Sequence, residues 1–247
     1  MSKQAEKDYL KNIGVAGIEH AFNKPFSDSL CGLYLAELGA IFTLLPEPPA
    51  RVLDMGCGTG WTSWMFAKRG YDVTGMDISE DMIHYARLNA ERYALDNASF
   101  VAGDYEDSAF EAEFDCAVFY DSLHHAVDPE RAIQTVYRAL KPNGVCITSE
   151  PGAGHTHKGK AAADQFGVTE ESTPPGKIIR LGRKAGFRSF AVYPHAQQVH
   201  SALYRRARPV DRSTVRRVLS VPVLKNLLAH FVIAAYKRVD GIVVMRK

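Results

Sequence analysis

From residue 51 onward, short apolar segments alternate with segments that carry helix signals, and this alternation constrains the fold more than any other feature. The predicted strands are RVLDMG, YDVTGMD, ASFVAGD, FDCAVFYD and VCITSEP, followed by RSFAVYPH and the final GIVVMRK. Helices lie between them, among them SEDMIHYARLNAERYAL with Ser79 as N-cap and DPERAIQTVYRAL with Asp128 as N-cap. Strands that alternate with helices predict parallel βαβ units, and therefore an open, doubly wound α/β sheet.

Two segments lie outside this pattern in what reads as a single domain. Residues 1–45 read as a helical N-terminal cap, while 50–193 and 240–247 form the Rossmann-like core. Residues 195–239 read as a helical lid inserted before the last strand. The lid is basic, so we expect contact with an anionic acceptor or a membrane surface, although a solvated basic face explains the charges equally well.

The glycine-rich segment VLDMGCGTGW is the strongest chemical signal in the chain. Gly56, Gly58 and Gly60 lie between a strand and a helix, where glycine permits a tight turn and close approach of a ligand. Trp61 stands where a dinucleotide fingerprint needs glycine, which disfavours a nicotinamide oxidoreductase. Asp54, just before the loop, would repel a pyrophosphate and attract a cation.

Acidic residues end the next two strands. Asp77 can accept hydrogen bonds from ribose hydroxyls, and Asp104 can accept one from an adenine amino group. Together with Asp54, these residues favour a nucleoside that carries a cationic tail.

The motifs DMGCGTG, GMDIS, GDYED and LKPNG, in this order, resemble those of class I S-adenosylmethionine-dependent methyltransferases. The similarity is greatest to the small-molecule group that includes ubiquinone and menaquinone biosynthesis enzymes. It implies a seven-stranded sheet ordered 3-2-1-4-5-7-6 with the last strand antiparallel, S-adenosylmethionine as cofactor and S-adenosylhomocysteine as product. The expected cofactor-binding residues are Asp54, Gly56, Cys57, Gly58, Gly60, Trp61, Asp77, Ile78, Met82, Asp104, Tyr105 and Tyr120.

The segment DSLHHA follows the fourth predicted strand, at the point where the strand order of such a sheet reverses. Ligands bind in the crevice at that point. A hydroxyl or amine acceptor must lose a proton, and histidine titrates in the right range. We therefore predict His125 or His124 as the base, with Asp121 orienting it or contacting the cofactor. The alternative is that both histidines contact backbone or cofactor without proton transfer.

A second polar segment, SEPGAGHTHK, follows the fifth strand. His155 and His157, beside Asp121 and Glu150, could bind a metal ion. Because the spacing is generic, we predict no metal and interpret the segment as an acceptor-contacting loop.

The acceptor itself is predicted only as a small molecule, anionic or saccharide-linked. Methylation of RNA, nucleotides or protein is an alternative, as is a non-catalytic S-adenosylmethionine-binding partner or sensor. Nucleic acid is disfavoured because the fourth strand ends in FYDS, without the motif of exocyclic-amine methylation enzymes. The four cysteines lack C-x-x-C spacing and the start lacks a signal-peptide stretch, so we expect a cytoplasmic protein with reduced thiols. The oligomeric state is left open.

Overall fold

The computed structural model describes residues 3–197, 199–200 and 239–247. Its strands are β1 Arg51–Met55, β2 Asp72–Asp77, β3 Ala98–Ala102, β4 Phe114–Tyr120, β5 Leu140–Glu150, β6 Ser189–Tyr193 and β7 Gly241–Arg246. They form one sheet in the order β3-β2-β1-β4-β5-β7-β6. The first five strands pair in parallel, and β7 is antiparallel to both β5 and β6. The predicted sheet order and the antiparallel last strand are therefore confirmed.

Helices cover both faces of the sheet. They are α1 Lys3–Asn12, α2 Gly14–Phe22, α3 Cys31–Leu44, α4 Trp61–Arg69, α5 Glu80–Arg92, α6 Pro129–Ala139, α7 His155–Lys158, α8 Lys160–Phe166 and α9 Pro175–Ala185. The predicted caps are present: Ser79 Oγ accepts from Met82 N at 3.4 Å, and Asp128 Oδ1 accepts from Arg131 N at 3.0 Å. These caps fix where α5 and α6 begin, and so where the preceding loops turn toward the sheet edge.

The core lies in two layers, one on each side of the sheet. Val52 and Leu53 are both fully buried, yet Val52 packs in the layer that contains Phe66 of α4 and Leu53 in the layer that contains Ile133 of α6. Successive residues of a strand point to opposite faces, so apolar residues at both positions require helices on both sides. This arrangement explains the nearly continuous apolar runs of β4 and β5.

The structure refines several predicted boundaries. The predicted turn KPNG lies within β5, where the pairing with β4 shifts register and Asn143 adopts φ +66°. The predicted loop after β5 contains α7 and α8, and a short 3-10 helix spans Leu123–His125. Of the predicted lid 195–239, residues 198 and 201–238 lie outside the described residues, so its helical structure and its role stay predictions.

Two further features concern the chain as a whole. In the part of the chain that the structure describes, no helix combines the length and apolar character needed to cross a membrane. Cys31, Cys57, Cys116 and Cys146 are free thiols, in agreement with the absence of disulfide spacing.

Candidate functional site

A cavity of about 420 Å³ opens at the carboxyl ends of β1, β2 and β4, where the strand order reverses. The loops after these three strands and the loop after β3 form its floor, and α1 and α2 cover it. Predicted residues that line it are Gly56, Cys57, Gly58, Trp61, Asp77, Ile78, Met82, Asp104, Tyr105, Tyr120, Asp121 and His125. The fold thus brings together side chains from four loops that are far apart in sequence.

The glycine loop adopts a conformation that needs glycine. Gly56 has φ +72°, and a Cβ at this position would lie 2.6 Å from Cβ of Ser122. Its N–H donates to the carbonyl of Met76 at 2.8 Å, which ties the loop to the end of β2. The backbone can therefore run directly along the cavity floor, where a side chain would block a ligand.

Asp77 holds this loop against the start of α5. One carboxylate oxygen accepts from Gly58 N and the other from Ser79 N, each at 2.9 Å. Burial raises the pKa of Asp77, whereas these two hydrogen bonds lower it. Each oxygen keeps a second lone pair, so the carboxylate can also accept hydrogen bonds from ligand hydroxyls.

At the end of the cavity beside β3, Asp104 already has a cationic partner. Nζ of Lys3, on α1, lies 2.5 Å from Asp104 and 2.6 Å from Glu106. The sequence did not reveal this contact, because the partners lie 101 positions apart. A ligand amino group that binds Asp104 must share it with Lys3 or displace Lys3.

An aromatic wall bounds the other end of the cavity. The rings of Trp61 and Tyr120 meet edge to face at 5.2 Å, and Tyr34 of α3 packs against Trp61 at 6.1 Å. Trp61, one of the expected cofactor-binding residues, thus borders the cavity. Tyr34 was not predicted, because nothing in its local sequence sets it apart.

Asp54 and Gly60 do not line the cavity. Their prediction as cofactor-binding residues is therefore corrected. The carboxylate of Asp54 accepts from Thr62 Oγ1 and Ser63 Oγ, both at 2.6 Å, at the first turn of α4. Burial raises its pKa to about 6. Gly60 is the N-cap of α4, with φ +74°.

Glu150 organises the turn that follows β4. Its buried carboxylate accepts from the backbone N–H groups of Ser122 at 3.0 Å, Leu123 at 2.8 Å and His124 at 3.2 Å. His124 Nδ1 also lies 2.9 Å from Glu150 Oε2. The carboxylate therefore fixes the 3-10 helix from which His125 reaches the cavity.

His124 does not line the cavity, and its prediction as a base is corrected. Its side chain is buried, and burial by itself would lower the pKa. The hydrogen bond to Glu150 and the charges of Glu150, Asp121 and Glu170 outweigh this effect and raise the pKa to about 9. At neutral pH the imidazole is a cation and has no free lone pair with which to take a proton.

His125 does line the cavity, and its hydrogen bond determines its tautomer. Nδ1 lies 2.7 Å from the carbonyl oxygen of Thr169. A carbonyl only accepts, so Nδ1 carries the proton and the neutral ring has its lone pair on Nε2. Glu6 of α1 lies 3.7 Å from the same Nδ1. Asp121, in contrast, lies 3.9 Å from Nδ1 of His124.

The sequence missed the role of Glu170. His155 Nε2 lies 2.6 Å from its carboxylate, and His124 Nε2 lies 3.7 Å from it. His157, which the sequence grouped with His155, is exposed. The sequence grouped His155 with His157, but the tertiary contacts group His155 with Glu170 and His124.

The N-terminal cap covers the cavity, and His20 of α2 lines it. Phe22 packs edge to face on Tyr85 at 5.7 Å, and Phe26 is exposed. Neither phenylalanine lines the cavity.

A smaller cavity of about 230 Å³ adjoins the first and shares Tyr34, Tyr120 and Asp121 with it. On its far side, His195 lies 2.5 Å from Glu37 and 2.9 Å from Asp240. Although burial lowers the pKa of His195, these hydrogen bonds raise it to about 10. The shared wall means that ligands in the two cavities would meet near Tyr120 and Asp121.

Residues 52–144, which include the glycine loop, Asp77 and the DSLHHA turn, match a family model described as a methyltransferase domain. Residues 52–144 are thus a methyltransferase domain, in a sheet with the order expected for class I methyltransferases. The ubiquinone biosynthesis O-methyltransferase of Psychrobacter cryohalolentis is 32% identical over 102 residues, 40% of each protein. The Coxiella burnetii protein of that name is 39% identical over 95 residues, covering 38% of this chain and 40% of its own. The chain thus matches about 40% of the length of these curated relatives.

Solved structures extend the likeness of the methyltransferase domain to the whole fold. Phosphoethanolamine N-methyltransferase 2 of Haemonchus contortus, in complex with S-adenosylmethionine, aligns over 100% of this chain and 59% of its own at a TM-score of 0.66 and 20% identity. An S-adenosylmethionine-dependent methyltransferase of Mesorhizobium loti aligns over 86% of this chain and 98% of its own at 0.59 and 21%. At these sequence identities the similarity shows a shared fold alone.

Proposed function

We propose that this protein transfers a methyl group from S-adenosylmethionine to a small-molecule acceptor. The observation that carries the proposal is the cavity at the strand reversal, whose floor is the glycine loop matched by the methyltransferase domain model. The names of the relatives, which refer to ubiquinone biosynthesis and phosphoethanolamine, support a small acceptor.

The charges of the cavity suit this cofactor. Acidic side chains outnumber lysines on its wall, so the cavity is net negative. S-adenosylmethionine carries two positive charges, the sulfonium and the ammonium, and one negative charge, its carboxylate. In the proposed arrangement, Gly56 and Gly58 face the methionine part, Asp77 accepts from the ribose, and Asp104 accepts from the adenine amino group. Tyr105 flanks the adenine. When the cofactor binds, Lys3 either moves away from Asp104 or binds this carboxylate together with the adenine amino group.

The acceptor occupies the smaller cavity in this proposal, because its wall at Tyr120 and Asp121 continues into the cofactor cavity. Much of the rate enhancement comes from holding the acceptor atom, methyl carbon and sulfur in line. His125 lines the larger cavity, so the reacting hydroxyl or amine must reach past Tyr120 and Asp121 into that cavity, where Nε2 of His125 removes its proton. The proposal that the acceptor is anionic rests on the basic sequence of residues 201–238. If it is correct, high salt should weaken acceptor binding.

Calorimetry with S-adenosylmethionine and S-adenosylhomocysteine tests the cofactor assignment. We expect binding of both at one site per chain, and no binding of either would refute the proposal. Transfer of labelled methyl groups to a panel of small hydroxyl and amine compounds then identifies the acceptor class.

The base is tested by His125→Ala, with His157→Ala as a control at an exposed histidine. We expect kcat to fall by roughly 10²–10⁴-fold in His125→Ala, the range typical of general bases. Binding of S-adenosylhomocysteine should not change. Unchanged turnover at saturating acceptor would remove His125 from the mechanism.

A further inference from the structure

His125 belongs to a group of ionisable side chains whose other members take no part in the proposed methyl transfer. A ring nitrogen of His124, a ring nitrogen of His125 and a carboxylate oxygen of Glu170 all lie within 4.8 Å of one another. It is the only such group among the described residues. We infer that this histidine cluster, His124, His125 and Glu170, binds a divalent transition metal ion of the Zn²⁺ class.

Both histidines have the hydrogen bonds that orient metal ligands. Nδ1 of His124 bonds to the carboxylate of Glu150 at 2.9 Å, and Nδ1 of His125 bonds to the carbonyl of Thr169 at 2.7 Å. Metal-bound histidines usually donate their second N–H to such a partner. In each ring Nε2 is therefore the nitrogen left to coordinate an ion, and at His124 the ion replaces the proton on Nε2.

One pair of ligand atoms lies close to the spacing that zinc requires. Nε2 of His124 lies 3.7 Å from Oε2 of Glu170. Tetrahedral coordination at about 2.0–2.1 Å puts ligand atoms roughly 3.3 Å apart, so this pair needs only a small side-chain movement. Two histidines and one glutamate leave a fourth position open, as in catalytic zinc sites.

The charges also favour a cation at this position. The ring centroid of His124 lies 3.9 Å from that of His125 and 4.8 Å from that of His155, so the three imidazole rings lie together next to the carboxylates. Glu150 and Glu170 supply two negative charges beside the rings. His155 bonds to Glu170 at 2.6 Å and thereby positions the carboxylate as an outer partner.

Metal binding and proton removal exclude each other at His125. An ion on Nε2 takes the lone pair that deprotonation of the acceptor requires. The metal-loaded protein is therefore expected to methylate hydroxyl or amine acceptors poorly. The binding site itself does not depend on the proposed methyl transfer, and its test does not need an acceptor.

The test is titration of the full chain with Co²⁺, after chelator treatment and without a polyhistidine tag. We expect the visible absorption of four-coordinate Co²⁺ to saturate at one ion per chain and to disappear when Zn²⁺ is added. Glu170→Gln should weaken Co²⁺ binding by at least about 100-fold, and His155→Ala by about 10–100-fold, the range for outer-shell partners. His157→Ala is the matched control and should bind normally.

Three outcomes would overturn the inference. They are an absence of the absorption band in the wild-type protein, equal Co²⁺ binding by wild type and Glu170→Gln, and equal binding by wild type and His125→Ala. Circular dichroism checks that each variant is folded. Calorimetry with S-adenosylhomocysteine on the same samples reports the cofactor site separately, so failure of the metal site is distinguishable from failure of the proposed function.

Discussion

Glu150→Gln is the substitution with the most sharply defined consequence for stability. The Glu150 carboxylate accepts hydrogen bonds from three backbone N–H groups and forms an ion pair with the buried His124. A glutamine keeps the size, but its amide nitrogen must face a donor, and the charge is lost. Removing one partner of a buried ion pair typically costs about 3–5 kcal/mol of unfolding free energy.

Part of this loss must depend on pH. The pKa of His124 rises from 6.5 in the unfolded chain to about 9 in the folded protein, which corresponds to roughly 3 kcal/mol. A raised pKa stabilises the fold fully below pH 6.5, and the contribution disappears as pH rises through about 9. The destabilisation caused by Glu150→Gln should therefore shrink by roughly 3 kcal/mol across this interval.

Denaturant unfolding of both proteins at several pH values between 6 and 10 measures the difference. Glu37→Gln is a comparison at the second buried pair, where His195 has a pKa of about 10, so its loss should persist to higher pH. If the difference between wild type and Glu150→Gln is the same at all pH values, His124 is not a buried cation. The reasoning from its ion pair would then be refuted.

Other predictions concern the cofactor loop and the helix caps. Asp77→Asn should weaken S-adenosylhomocysteine binding by about 10–100-fold, since it loses charged hydrogen bonds; unchanged affinity by calorimetry would contradict the assigned role. Gly56→Ala should lower the unfolding free energy by about 1–3 kcal/mol, because φ is +72° and Ser122 crowds the new Cβ. Ser79→Ala and Asp128→Ala should each cost about 1 kcal/mol in denaturant unfolding. Equal stability of either variant and wild type would show that its cap contributes nothing.

Local patterns in the sequence were enough to predict the sheet. Runs such as CAVFY report burial on both faces, and Ser79 and Asp128 mark helix starts through hydrogen bonds to residues three positions away. Such interactions lie within one turn of the chain, so they can be predicted from neighbouring residues. The glycine loop and Asp77 follow for the same reason: the end of a strand and the start of a helix place them at one edge.

The tertiary structure alone decided which ionisable groups meet. Lys3 pairs with Asp104 across 101 positions, and Ser149 bonds to Glu37 across 112. No periodicity links such partners, because their approach is set by how α1 and α3 pack on the sheet. The same packing separates the two adjacent histidines: His124 turns into the buried pair with Glu150, while His125 faces the cavity. Sequence determined that two histidines stand at the crevice; burial and the charges around each one determined which of them can take a proton.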